Sequence, residues 1–189
     1  MSVKHQVTAE DLWEMPEVPG KRLELVDEEV VEVAPATIRH GVIAGTVHDV
    51  IKQHVRRQDL GLLMGDNVGY VLRRDPDQVR ELNVSFVAWD NVPEGNDLDR
   101  FVQGPPTLAV EIFPPNDRAN DIRERVQDYL EARTQQVWVL WPRRRSVSVY
   151  SSGADTRELG PDSVLDGGNV LPGFTVRVDD LFEVPRCRR

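Results

Sequence analysis

The sequence predicts one α/β (α+β) domain built on a mixed β-sheet. Three observations point there. Leu108 to Trp141 reads as an apolar strand, a Pro-Pro break, an amphipathic crossover helix and a second apolar strand. Arg22 to Val33 and Val137 to Tyr150 each read as two strand-like runs joined by a charged turn, which is the pattern of a hairpin. No internal repeat and no linker-like composition interrupts the 189 residues, a length that suits a single domain spanning 1–189 with a real core.

Along the chain, Thr8-Ala9-Glu10-Asp11 has the form of a helix N-cap with acids in the first turn, so a short helix over Ala9 to Met15 is expected. The segment Pro16 to Gly20 is a turn. Arg22 to Val26 and Val30 to Val33 form the first hairpin, through Asp27-Glu28-Glu29. That turn lacks glycine, so it fits a tight turn imperfectly. Ile38 to Arg57 is a long helix whose buried stripe is Ile43, Val47, Val50, Ile51 and His54. Leu62 to Met64 and Val68 to Leu72 read as strands. Val79 to Ala88, with alternation and β-branched residues, reads as one strand. Asn91 to Gln103 is a polar loop. After the central strand, helix and strand, Ser146 to Tyr150 pairs back through Arg143-Arg144-Arg145. Leu171-Pro172-Gly173-Phe174 is a bend, and Val178 to Phe182 a short terminal helix.

Composition narrows the function. A hydrophobic fraction of 40% with 29% charged residues is that of a soluble globular protein. No apolar run approaches the roughly 18 residues a membrane span needs, and the N-terminus has no signal-peptide core, so a cytoplasmic location is the default expectation. The single cysteine, Cys187, excludes an internal disulfide and cysteine-rich zinc sites. A net charge of −9 argues against a protein that coats nucleic acid, but not against an enzyme acting on DNA. The arginine clusters at 56–57, 73–74, 143–145 and 186–189 are the candidate phosphate patches. Solvated turns or tails are the plainer account of each.

The chemistry concentrates in a few residues. Glu111 is a lone carboxylate at the end of a buried strand, and it needs a compensating partner. A metal ion or an arginine would satisfy it, and the strand alone leaves both open. Asn83, on a strand expected beside that of Glu111, offers a neutral oxygen to a hard cation, or makes an ordinary strand hydrogen bond. Arg125 lies three residues after Ile122 and four before Tyr129, at the edge of the helix's inner face. There it can reach Glu111 or a phosphate, but it cannot act as a general base. Glu24 is a second acid within an apolar strand. His40, at the start of the long helix, is within reach of a site at the sheet edge. No phosphate loop, dinucleotide fingerprint or nucleophile elbow occurs.

Thr8-Ala9-Glu10-Asp11-Leu12, Leu23-Glu24-Leu25-Val26-Asp27, Arg39-His40-Gly41, Asn83-Val84-Ser85-Phe86-Val87, Val110-Glu111-Ile112, Tyr129-Leu130, Val137-Trp138-Val139 and Leu171-Pro172-Gly173-Phe174 together carry a resemblance over nearly the whole chain. The chain resembles the bacterial Uma-type restriction endonucleases, a branch of the PD-(D/E)XK nuclease superfamily. The resemblance implies a restriction-endonuclease-like central mixed sheet flanked by helices, DNA as substrate, and a homodimer. It also implies a divalent metal, Mg or Mn, bound by an Asp, a Glu and a backbone carbonyl. Those positions fall on Asn83, Glu111 and Ile112. The family's lysine falls on Arg125, and a further acidic position on Glu24. In such a site the metal polarises phosphate and water for phosphodiester hydrolysis. This chain departs from the pattern at Asn83 for Asp, Arg125 for Lys, Glu28 for a hairpin glycine and Pro114-Pro115 for Ser-Pro. The departures point to a drifted member with reduced or lost activity, or to a non-catalytic pseudonuclease that binds nucleic acid or a protein partner.

Overall fold

A computed structural model of the chain describes residues 6–16, 21–33, 35–65, 67–95, 97–113 and 119–184. Most of the expected turn at Pro16 to Gly20, the Pro114-Pro115 break and the basic tail with Cys187 lie outside these residues.

Thr8 caps helix α1 (Ala9–Glu14): its hydroxyl accepts from the Asp11 N–H at 3.1 Å, while the Asp11 carboxylate accepts from the Thr8 N–H at 2.9 Å. Strands β1 (Arg22–Val26) and β2 (Glu29–Val33) form the expected hairpin. Its turn is two residues, Asp27 and Glu28, at φ 47° and 69°. Both occupy the left-handed region that such a turn demands and that glycine or asparagine adopts with least strain.

Helix α2 (Ile38–Gln58) buries Ile43, Val47, Ile51 and His54 as its periodicity predicts, with Val50 only partly covered. Next come β3 (Gly61–Met64), β4 (Val68–Arg73), β5 (Gln78–Leu82), β6 (Val84–Ala88) and the two-residue β7 (Val102–Gln103). The run Val79 to Ala88 is therefore two strands broken at Asn83, and they enter different sheets. Strand β8 (Leu108–Ile112), helix α3 (Ala119–Glu131) and strand β9 (Gln136–Trp141) form the expected crossover, with β8 and β9 parallel. Strand β10 (Ser146–Ser151) returns antiparallel to β9 and is joined by β11 (Arg157–Leu159). Strands β12 (Val164–Asp166) and β13 (Thr175–Arg177) make a separate two-stranded ribbon. The expected terminal helix is a 3₁₀ turn, Asp179–Phe182, docked by Arg145, which pairs with the Asp179 carboxylate and donates to the Phe182 carbonyl at 3.1 Å.

The strands divide into a six-stranded sheet, order β11-β10-β9-β8-β6-β3, and a five-stranded sheet, order β2-β1-β5-β4-β7. Side-chain alternation along β8 explains the layering. Leu108, Val110 and Ile112 point into a core shared with α2, whereas Ala109 and Phe113 point into a second core shared with α3 and the five-stranded sheet. A third, smaller core, with Leu25, Val71 and Val79, lies between the five-stranded sheet and α1. Among the described residues, no helix is long and apolar enough to cross a membrane.

Candidate active site

Glu111 shares the face of Ala109 and Phe113, so β8 delivers its carboxylate into the layer between the two sheets, where α3 packs. Arg125 reaches it from α3. One guanidinium nitrogen donates to Glu111 Oε1 at 3.1 Å, and the Tyr129 hydroxyl, one helical turn on, donates to the same oxygen at 2.5 Å. Arg125 also grips Glu24 of β1 with two parallel bonds of 2.8 Å, the bidentate fork that guanidinium and carboxylate geometry favours. A further bond of 3.3 Å runs to the Glu81 carbonyl. The structure thus brings Glu24, Glu111 and Arg125 together, with the guanidinium bridging two acids from two different sheets.

A second cation completes the cluster. Arg80 of β5 donates to Glu24 Oε2 at 3.0 Å and to Asp128 of α3 at 2.9 and 2.5 Å. The Glu81 N–H supplies a further bond of 3.0 Å to Glu24 Oε1. Glu24 is 1% exposed and Arg80 7%. Burial alone would push the Glu24 carboxyl upward, but Arg125 and Arg80 outweigh it and hold its pKa below the usual value. Glu111 goes the other way. Its burial is complete enough to raise its pKa despite Arg125 and Tyr129, and the Glu24 charge adds to the rise. Burial and Glu111 also push the Tyr129 phenol up, so it stays protonated and remains a donor.

Asn83 is the single residue between β5 and β6, at the corner where the chain passes from one sheet to the other. Its Oδ1 accepts from the Ile112 N–H at 2.8 Å. Asn83 and Ile112 are therefore adjacent, as the resemblance implies, but the asparagine oxygen is committed to the backbone. His40 stands in the first turn of α2, on the opposite face of the six-stranded sheet from α3, and is placed apart from the cluster. Arg80, Asp128 and Tyr129 are cluster members that the sequence reading missed. Asp128 lies three residues after Arg125 on the same helix face, which is the signal that could have found it.

The donor set does not fit a divalent cation. A hard cation needs several oxygens, mostly anionic. Here the Glu111 oxygen facing the junction is taken by Arg125 and Tyr129, the Asn83 oxygen by the Ile112 N–H, and a guanidinium stands between the acids. Among the described residues no group of three or more His, Cys, Asp or Glu side chains is arranged to hold a metal ion.

The comparisons with known proteins agree with this architecture. A solved chain from Anabaena variabilis, described as "a putative nuclease belonging to DUF820", superposes with a TM-score of 0.78 over 93% of this chain and 97% of that one. At 18% identity that likeness shows the fold alone, a mixed α+β architecture. No curated protein matches. A family model described as "Putative restriction endonuclease" matches residues 9–179, so the chain belongs to the Uma2 family.

Proposed function

We propose that this chain is a pseudonuclease: a restriction-endonuclease-fold protein in which metal-dependent cleavage of DNA has given way to an ion-paired junction, and which works by binding. The observation that carries this reading is the Arg125 guanidinium bridging Glu24 and Glu111. Restriction-endonuclease-like families generally use divalent metals, and the resemblance implies Mg or Mn for phosphodiester hydrolysis. The position that the resemblance assigns to a metal-binding aspartate is Asn83 here, a neutral group with its oxygen in use. The remaining acids are already compensated by Arg125 and Arg80. A guanidinium cannot take a proton from water at any relevant pH, so Arg125 does not replace the lysine as a proton acceptor.

The surface gives little support to tight DNA binding. Two of the arginine turns that could hold phosphate are tied into the protein. Arg74 binds Glu10 at 2.9 and 3.0 Å, Asp77 at 2.7 Å and Gln103 at 2.7 Å. Arg144 lies over the Trp141 ring at 5.7 Å, and Arg145 is held by Asp179. With a net charge of −9, electrostatic attraction to phosphate is weak.

The test is plasmid nicking with Mn or Mg, comparing the purified chain with Glu111→Gln, a shape-conserving change. No Glu111-dependent cleavage is expected. Cleavage that disappears in Glu111→Gln, with the melting curve intact, overturns the reading and restores a metal-dependent nuclease.

A further inference from the structure

Most sheet edges of this fold are guarded. Strand β2 carries Glu29 and Glu32, β11 carries Arg157 and Glu158, and β7 is two residues long. Charge and short length are what keep an exposed edge from pairing with another chain. Strand β3, which ends the six-stranded sheet, is Gly-Leu-Leu-Met, with no charge, proline or bulge. The Leu60 carbonyl accepts from the Trp89 N–H, which sets the phase of the β3–β6 ladder. The antiparallel alternation then turns the main-chain groups of Leu62 and Met64 toward β6, and the N–H and C=O of Gly61 and Leu63 outward. Among the described residues no strand pairs with that outer edge, and none of the residues of β3 is buried.

Beside the edge lies an apolar groove of about 180 Å³, walled by Leu62 and Met64 of β3, Val87 of β6, and Val92 and Leu98 of the loop after β6. Pockets for drug-sized molecules run to about 300–1,000 Å³, so this space suits one or two aliphatic side chains better than a free ligand of that size. Leu62 and Met64 share one face of β3, so a strand added outside β3 lays its alternate side chains beside them, over the groove. The loop that supplies the outer wall exposes Asp90, Glu94, Asp97 and Asp99 against a single cation, Arg100. The geometry points to the β3 edge as the docking site of an extended segment of a partner protein, with apolar residues at alternate positions and Lys or Arg at its flanks. Its main chain bonds Gly61 and Leu63, its apolar side chains enter the groove, and its cations face the acidic loop. The site uses none of the residues of the Glu24–Arg125–Glu111 junction, and the inference holds whether or not that centre cuts DNA.

Panning a phage-displayed library of random peptides against the full chain, then measuring the enriched peptides by fluorescence anisotropy, tests it. The enriched peptides are expected to alternate apolar residues between basic ends. N-methylation of alternate amides in the tightest of them should weaken binding on the order of tenfold in one register and little in the other, because only one set of N–H groups meets the edge. Leu62→Lys puts a charge on the partly exposed edge and should abolish measurable binding. Asp97→Arg, on the exposed loop, should weaken it about threefold. The N-methyl series uses the unaltered chain, so a variant that fails to fold leaves the test standing. No enriched peptide, enriched peptides without the alternation, indifference to N-methylation in both registers, or binding that survives Leu62→Lys would each overturn the proposal. So would an edge closed by a second copy, seen in sedimentation as a dimer that Leu62→Lys splits.

Discussion

Replacing Arg125 by alanine tests the central junction most directly. The change deletes two bonds of 2.8 Å to Glu24, one of 3.1 Å to Glu111 and one of 3.3 Å to the Glu81 carbonyl. The two acids are not stranded equally. Glu24 keeps Arg80 and the Glu81 N–H, each at 3.0 Å, whereas Glu111 keeps only the Tyr129 hydroxyl among the bonds described here. Hydrogen bonds to charged groups contribute about 1.5–3 kcal/mol each, and breaking a buried pair by removing one partner costs about 3–5 kcal/mol. The second figure governs, because Arg80 remains to compensate one acid. The expected loss is therefore about 3–5 kcal/mol, a fall in Tm of roughly 10 °C for a chain of this size. Arg125→Lys keeps the charge but not the fork, and should lose about 1–2 kcal/mol. Reversible urea unfolding followed by tryptophan fluorescence measures both. If Arg125→Ala loses less than about 1 kcal/mol, the junction does not hold the two sheets, and the structural role assigned to it is wrong.

Other expectations follow from the same geometry. Glu111 has a raised folded pKa, so from about pH 4.5 up to that raised value the folded state binds the extra proton and stability falls as pH rises. The stability of the wild type relative to Glu111→Gln should accordingly improve as pH drops toward 4.5; a pH-independent difference would contradict the shift. Glu24 acts in the opposite sense: its stabilisation is full above the usual carboxylate value and is lost as pH falls below it, so Glu24→Gln should flatten the acid limb of the unfolding profile. Asn83→Asp combined with Arg125→Lys should bind Mn measurably by titration calorimetry where the wild type gives no heat. Equal, absent heats would mean that more than these two side chains keeps a metal out. Glu28→Gly should stabilise by about 1 kcal/mol by relieving a left-handed residue at φ 69°, and a loss of stability would show that the glutamate is held there by something else.

The sequence made half of the cluster legible, for a definite reason. Glu24 and Glu111 stand out as single acids in apolar strands, and Arg125 as a cation at the edge of an apolar helical stripe. Each breaks a local pattern. Arg80 breaks none, because Gln78-Val79-Arg80-Glu81-Leu82 carries polar residues on both faces and shows no apolar stripe for a charge to interrupt; only the fold buries Arg80, against Glu24 and Asp128. Tyr129 was legible as core, but the second role of its hydroxyl depends on β8. The hairpins, the crossover and both long helices came from periodicity. The split of Val79 to Ala88 did not, since β-branched residues continue across it; the one local sign is an asparagine, depleted in strands, at the break. Strands β7, β11, β12 and β13 are two or three residues long, too short for any period to show.

That break has a mechanical consequence. With only Asn83 between them, β5 and β6 are one length of chain folded over a corner, and the corner is pinned by a side chain to the backbone of the neighbouring strand. Loosening either strand pulls on the pin, so the two sheets should unzip as a single cooperative unit, with amide protons in β5 and β6 exchanging at a common opening free energy.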